Sequence, residues 1–161
     1  MQLLPSLFRA PMCIPEMDLS GTVVACGSSV PRSLNLPAGT KVFGSVPVGQ
    51  HAKGSGALAE YVAVDPTSVV GVDGVKGEEV AGLAIAGTTA LELVKAASLK
   101  IGDSVLVNGA SGGIGHLVVQ MCKNIVGESG RVVAVCSTAN VVWVKDLGAD
   151  EVCHIPLNMK D

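Results

Sequence analysis

The sequence predicts an α/β protein in which an irregular β-rich segment precedes half of a doubly wound parallel sheet. Three observations carry that prediction. Residues 105–120, VLVNGASGGIGHLVVQ, join a strand-like apolar run to a glycine cluster and then to a helix. Beyond residue 96, strand-like and helix-like segments alternate as βαβαβ. The hydrophobic residues, 48% of the chain, are mostly small or β-branched, as buried parallel sheet requires.

The elements follow in order from these patterns. Upstream of a compositional seam near residue 96, short strand-like runs at 21–26, 41–43, 57–64 and 68–70 alternate with turns. Pro31, Pro37, Gly39, Pro47 and Gly49 punctuate them. Residues 78–97 have helical character, broken near Gly87, with Ala90, Leu91, Val94 and Ala97 at helical spacing. Lys100, Gly102 and Asp103 turn the chain into a strand at 104–107, whose Val105, Leu106 and Val107 suit burial. A helix over 113–124, a strand at 131–135, a helix over 140–147 and a short strand at 151–154 complete the pattern. Asn140 is placed to cap the second of these helices and Gly148 to end it.

The glycine corner is where chemistry is expected. Glycines allow backbone positions that a Cβ would block, and a helix N-terminus offers unpaired N–H groups to a phosphate. The physical reading is a pyrophosphate-binding turn, against the alternative of a strand–helix corner that holds no ligand. Ile114, Leu117, Val118 and Met121 give the following helix its apolar face.

Composition narrows the function. A net charge of -3 gives no support for nucleic-acid binding or attraction to an anionic membrane. Only Phe8, Phe43, Tyr61 and Trp143 are aromatic, which argues against a stacking platform. The five cysteines, Cys13, Cys26, Cys122, Cys136 and Cys153, are scattered among apolar residues without a CxxC pair, and read as isolated buried thiols of a reducing compartment. The uncharged run at 80–91 is too short to span a bilayer. The opening MQLLPSLFRAP, with one arginine and two prolines, is a poor targeting segment, so a cytoplasmic location is expected.

Six segments together resemble the medium-chain dehydrogenase/reductase superfamily, and its zinc-independent quinone and enoyl reductase branch in particular. They are IPEMDLSGTVVACG at 14–27, KVFG at 41–44, GALAEYV at 56–62, AGTTALELV at 86–94, IGDSVLVNGASGGIG at 101–115 and LGADEV at 147–152. The resemblance implies a partial chaperonin-10-like (GroES-like) β-domain with linking helices over residues 1–95. The N-terminal half of a Rossmann NADP-binding domain follows over 96–161. Against that plan the opening β-domain strands and the second mononucleotide-binding half are expected to be missing.

The resemblance also implies site residues. Gly109, Ala110, Ser111, Gly112, Gly113, Ile114 and Gly115 match the family's cofactor loop, and Thr88 and Thr89 match a segment near the nicotinamide, where helix packing is the competing role. At the end of the second Rossmann strand, Val135, Cys136, Ser137 and Thr138 include no acid to accept bonds from the adenosine ribose. Ser137 and Thr138 hydroxyls would instead donate to a 2′-phosphate, with Lys145 as a source of charge, which favours NADPH over NADH. Zinc-dependent relatives carry a histidine where this chain has Met17 and a cysteine where it has Ile85, and the four-cysteine lobe is absent between Phe43 and Tyr61. No metal is expected. Asp18 would order the cleft, His51 falls in a loop, His116 reads as a surface residue, and Tyr61 packs in a strand-like segment. No nucleophile–base pair or carboxylate dyad emerges, so catalytic residues stay unassigned.

The implied function is an NADPH-dependent oxidoreductase that transfers hydride to a quinone or an activated C=C bond of an enone or enoyl substrate. The alternative is a catalytically inactive dinucleotide-fold protein with a binding or interaction role. An uncovered sheet edge on a chain with only 16% charged residues predicts a homo-oligomer or aggregation.

Overall fold

The structure, a computed structural model, describes residues 13–155. The opening segment weighed above for targeting lies outside them. The chain divides into two compact units between Ile85 and Ala86, and each is taken by itself.

The first unit is a three-stranded antiparallel sheet with short helical turns. β1 (Asp18–Thr22) pairs with β2 (Lys41–Ser45) in the register Ser20 to Phe43, and β2 pairs with β3 (Val69–Gly71) through Phe43 and Val70. Leu36, Val42, Val46 and Val80 are its buried apolar residues. Three expectations change here. The strand read over 21–26 begins and ends earlier, because beyond Thr22 the Val23 amide and carbonyl bond to the turn at Thr40 and Gly39. The run at 57–64 forms no strand. Its Ala57 and Leu58 amides donate to Glu16 and Pro15, but Pro15 has no N–H to return and Glu16 sits at φ 65°, so no ladder propagates. Leu58 and Tyr61 are consequently exposed rather than packed. His51 ends a four-residue helix, α1 (Val48–His51), instead of lying in a loop, because the Pro47 carbonyl accepts the Gln50 and His51 amides.

The helical stretch expected over 78–97 splits at residues 81–82, not at Gly87. α2 (Gly77–Val80) precedes α3 (Leu83–Ala97), and Gly87 lies inside α3. Asp18 helps to start α3: its carboxylate accepts the Ile85 amide at 3.1 Å, capping the first turn from a strand remote in sequence.

The second unit is a parallel sheet in the order β4–β5–β6, formed by β4 (Ser104–Asn108), β5 (Arg131–Ser137) and β6 (Glu151–Ile155). The register sets Val107 beside Ala134 and Cys136 beside His154. α4 (Gly115–Val126) and α5 (Val141–Asp146) connect the strands. α4 buries Val119, Cys122 and Val126 at helical spacing against the alternate residues Val132, Ala134 and Cys136 of β5. Each fully buried valine in this core contributes about 1.5 kcal/mol or more. Asp150 ties the layers together: it accepts the Val132 amide at 2.7 Å and pairs with Lys123 of α4 at 2.8 Å. That ion pair holds the Asp150 carboxyl below the usual range and raises the Lys123 ammonium.

Several expectations for this unit also shift. Of β4 only Val107 is buried, and Leu106 is 66% exposed, because nothing among the described residues covers the sheet face opposite α4. The same asymmetry leaves Cys153, registered with Val135, exposed on β6, and Cys26 is exposed beyond β1. Only Cys122 and Cys136 are buried as thiols. α4 starts two residues later than read, since Gly113 and Ile114 belong to the turn before it. Asn140 stands at the N-cap position of α5, but its side chain makes no cap bond and donates to Ser137 Oγ at 3.0 Å. Gly148 follows α5 at φ 106°, and its amide reaches the Lys145 carbonyl.

Candidate functional site

The loop from Gly109 to Gly115 is built by glycines with different duties. Gly109 leaves β4 at φ 68°, a left-handed conformation that disfavours any Cβ. Ala110 is fully buried and its amide donates to the Val135 carbonyl at 2.9 Å, which roots the loop on β5. The Gly112 amide donates to the Gly109 carbonyl at 2.9 Å and closes the turn. A Cβ on Gly115 would be driven into the Gly109 carbonyl and the Ala110 Cα, so the first residue of α4 can lie on the loop root only as glycine. At Gly113 an added Cβ would meet nothing within 4 Å.

That open side faces a backbone with unmet donors. The amides of Ser111, Gly113 and Ile114 have no hydrogen-bond partner among the described residues. They precede a helix of 12 residues, whose N-terminal partial positive charge favours an anion. No acidic side chain occurs anywhere in residues 104–127. The loop borders a groove of about 520 Å³ whose walls are apolar, from Leu93 and Ala97 of α3, Leu106 of β4 and Val118 of α4. These residues can cradle a phosphate at the loop and a flat apolar group beside it.

At the carboxyl end of the same sheet a polar cluster forms. Ser137 ends β5, and Thr138 opens a 3-10 turn, Thr138–Asn140, that leads into α5. Ser137 Oγ accepts from Asn140, and Thr138 Oγ1 lies 3.2 Å from His154 Nδ1 on β6. Because β4 and β5 run parallel with Asn108 beside Val135, this cluster and the glycine loop share one end of the sheet. Lys145 is elsewhere, exposed in the last turn of α5, at the far end of that helix from Thr138. Thr88 and Thr89 lie on α3, nearer its start than Leu93 and outside the groove lining.

Two residues were not singled out for the roles their surroundings give them. His116 is half-buried, its Nδ1 donates to the Gly112 carbonyl at 2.9 Å, and its ring stacks on Trp143 at 5.9 Å. The ring thus pins the glycine turn to α5. His154 sits among apolar residues in the sequence, and only the parallel register shows that it meets Thr138.

The acid nearest to a candidate role in the first unit is Asp18. Burial pushes its carboxyl up and Glu16 adds to that, while the Ile85 amide opposes it. Its hydrogen bond makes it a helix-starting residue. Among the described residues no group of three or more His, Cys, Asp or Glu side chains gathers as a metal site. No described helix is long and apolar enough to cross a membrane.

No family model matches the chain. It is 42% identical over 155 residues to a chloroplast envelope quinone oxidoreductase homolog of Arabidopsis thaliana, covering 92% of this chain and 44% of that protein. A 2-methylene-furan-3-one reductase of Solanum lycopersicum is 37% identical over 85% of this chain and 35% of its own length. Among solved structures, a mycobacterial protein complexed with NADPH superposes with a TM-score of 0.72 at 31% identity, over 89% of this chain and 42% of that one. The chain therefore spans less than half the length of these relatives.

Proposed function

Because this chain belongs to the medium-chain dehydrogenase/reductase superfamily, among its quinone oxidoreductase-like members, we propose that it binds NADPH through residues 109–115. We further propose that it serves zinc-independent hydride transfer to a quinone or an activated carbon–carbon double bond. The observation that carries the binding reading is the set of unpaired amides at Ser111, Gly113 and Ile114, on a loop with no neighbouring acid in its segment. The NADPH complex of the mycobacterial protein supports the choice of cofactor, and the names of the plant relatives support the substrate classes.

The dinucleotide, when bound, supplies the hydride. This chain's residues do the rest of the work ascribed to it here. The loop amides hold the pyrophosphate, Gly113 leaves room for it, and His116 keeps the turn in shape through the Gly112 carbonyl. Ser137 and Thr138 address the adenosine ribose and its 2′-phosphate, with Lys145 adding long-range charge. Thr88 and Thr89 are assigned to the nicotinamide end. Zinc plays no part in this reading, which rests on Met17 and Ile85 at the positions of the family's metal ligands.

The same reading takes residues 1–95 as a partial chaperonin-10-like domain and 96–161 as the first half of the Rossmann domain. The five free cysteines support work in a reducing compartment such as the cytosol. The alternative reading is a non-catalytic dinucleotide-binding protein. NADPH consumption across a panel of quinones and enones separates the two. Saturable, acceptor-dependent oxidation supports the reductase, and saturable NADPH binding without oxidation supports the second reading. Absence of any NADPH binding overturns both.

A further inference from the structure

We propose that His154 is the residue that sets this chain's preference for NADPH over NADH, by donating from Nε2 to the adenosine 2′-phosphate. This rests on the NADPH-binding reading given above.

The argument begins with what the carboxyl end of the sheet lacks. Ligands of open parallel sheets bind beyond the carboxyl ends of the strands, and here that end carries Ser137, Thr138, Asn140 and His154. Three cations of this unit are committed elsewhere in ion pairs: Lys123 to Asp150, Arg131 to Glu151 and Lys95 to Glu92. Arg131 and Glu151 open their strands, so their pair lies at the opposite end of the sheet. Lys145 lies at the far end of α5. Among the described residues, a phosphate beside Ser137 and Thr138 would thus meet hydroxyls and, as a basic side chain on β6, His154.

Geometry fits the imidazole to that task. Its Nδ1 is 3.2 Å from Thr138 Oγ1, so the Thr138 hydroxyl can donate to Nδ1 and fix the tautomer whose proton is on Nε2. In that tautomer Nε2–H is a donor, and the ring is exposed, so an incoming phosphate oxygen can reach it. Nδ1 carrying its own proton would donate to Thr138 Oγ1 instead, and the threonine hydroxyl proton would then be free for the phosphate. Either arrangement presents a donor to phosphate. With the 2′-hydroxyl of NADH the same donor makes only a neutral hydrogen bond, about half as strong as the charge-assisted bond to phosphate. Asn140 completes the cluster by holding Ser137 Oγ at 3.0 Å.

The test is a pair of calorimetric titrations, NADPH and NADH, on the full chain and on His154→Ala and His154→Lys, each first matched to the parent by circular dichroism. The proposal predicts that His154→Ala weakens NADPH about tenfold or more, the worth of a hydrogen bond to a charged group. NADH affinity should fall several-fold less than NADPH affinity, and His154→Lys should keep most of the NADPH preference. Equal losses for both nucleotides, or unchanged NADPH affinity in His154→Ala, would overturn the proposal while leaving the dinucleotide reading intact. A parent chain that binds neither nucleotide would overturn the dinucleotide reading as well. If His154→Ala does not fold, His154→Phe, which keeps a planar ring but carries no donor, takes its place and should lower NADPH affinity selectively.

Discussion

Replacing Gly113 by aspartate puts one negative charge on the open side of the loop, and its consequence can be worked out from the surroundings. An added Cβ at this position meets nothing within 4 Å, and Gly113 does not adopt a left-handed φ, so the side chain enters without strain or collision. What remains is electrostatics. A carboxylate roughly 6 Å from a phosphate charge costs about 0.7 kcal/mol at the dielectric of water and about 2.8 kcal/mol at the value typical near a protein surface. NADPH affinity should therefore fall by roughly three- to a hundredfold from charge alone, while thermal unfolding is unchanged. Intrinsic tryptophan fluorescence suits the assay, because the single tryptophan, Trp143, stacks on His116 beside the loop. Unchanged NADPH affinity in a folded Gly113→Asp variant would remove the loop from the cofactor site.

Three further outcomes follow from the same geometry. Gly115→Ala should lower stability by about 1–3 kcal/mol through overpacking against the Gly109 carbonyl, read as a lower denaturant midpoint. Asp150→Ala should lower stability at neutral pH by about 1–2 kcal/mol through the lost bond to the Val132 amide. Because the folded state holds this carboxyl below its ordinary 3.8, its contribution is present above that value and fades as pH falls through the lower folded value, so parent and variant should converge in acid. Leu106→Lys should shift the chain toward a smaller species in size-exclusion chromatography, since Leu106 is 66% exposed on a sheet face that nothing among the described residues covers.

The sequence made the second unit more legible than the first, for a physical reason. The continuous apolar run at 132–136 and the helical spacing at Val119, Cys122 and Val126 are strong local patterns, so this strand and the helix packed on it are legible from sequence. The run at 57–64 is also largely apolar but meets Pro15 and Glu16 as neighbours, and strand formation depends on a partner that local pattern cannot reveal. At the site, glycine spacing located the loop but not the division of labour between Gly113, which is open, and Gly115, which is tightly packed. His154 was invisible for a different reason: its contact with Thr138 depends on parallel register across 16 residues.

The central claim is that backbone amides of this loop receive the phosphates of NADPH. Amide chemical shifts of the isotope-labelled chain, followed through an NADPH titration, test it directly. The account predicts saturable shifts of Ser111, Gly113 and Ile114, the donors left without partners, with smaller changes at Ser137 and Thr138. Shifts confined to residues outside 109–115, or none at saturating NADPH, would contradict it.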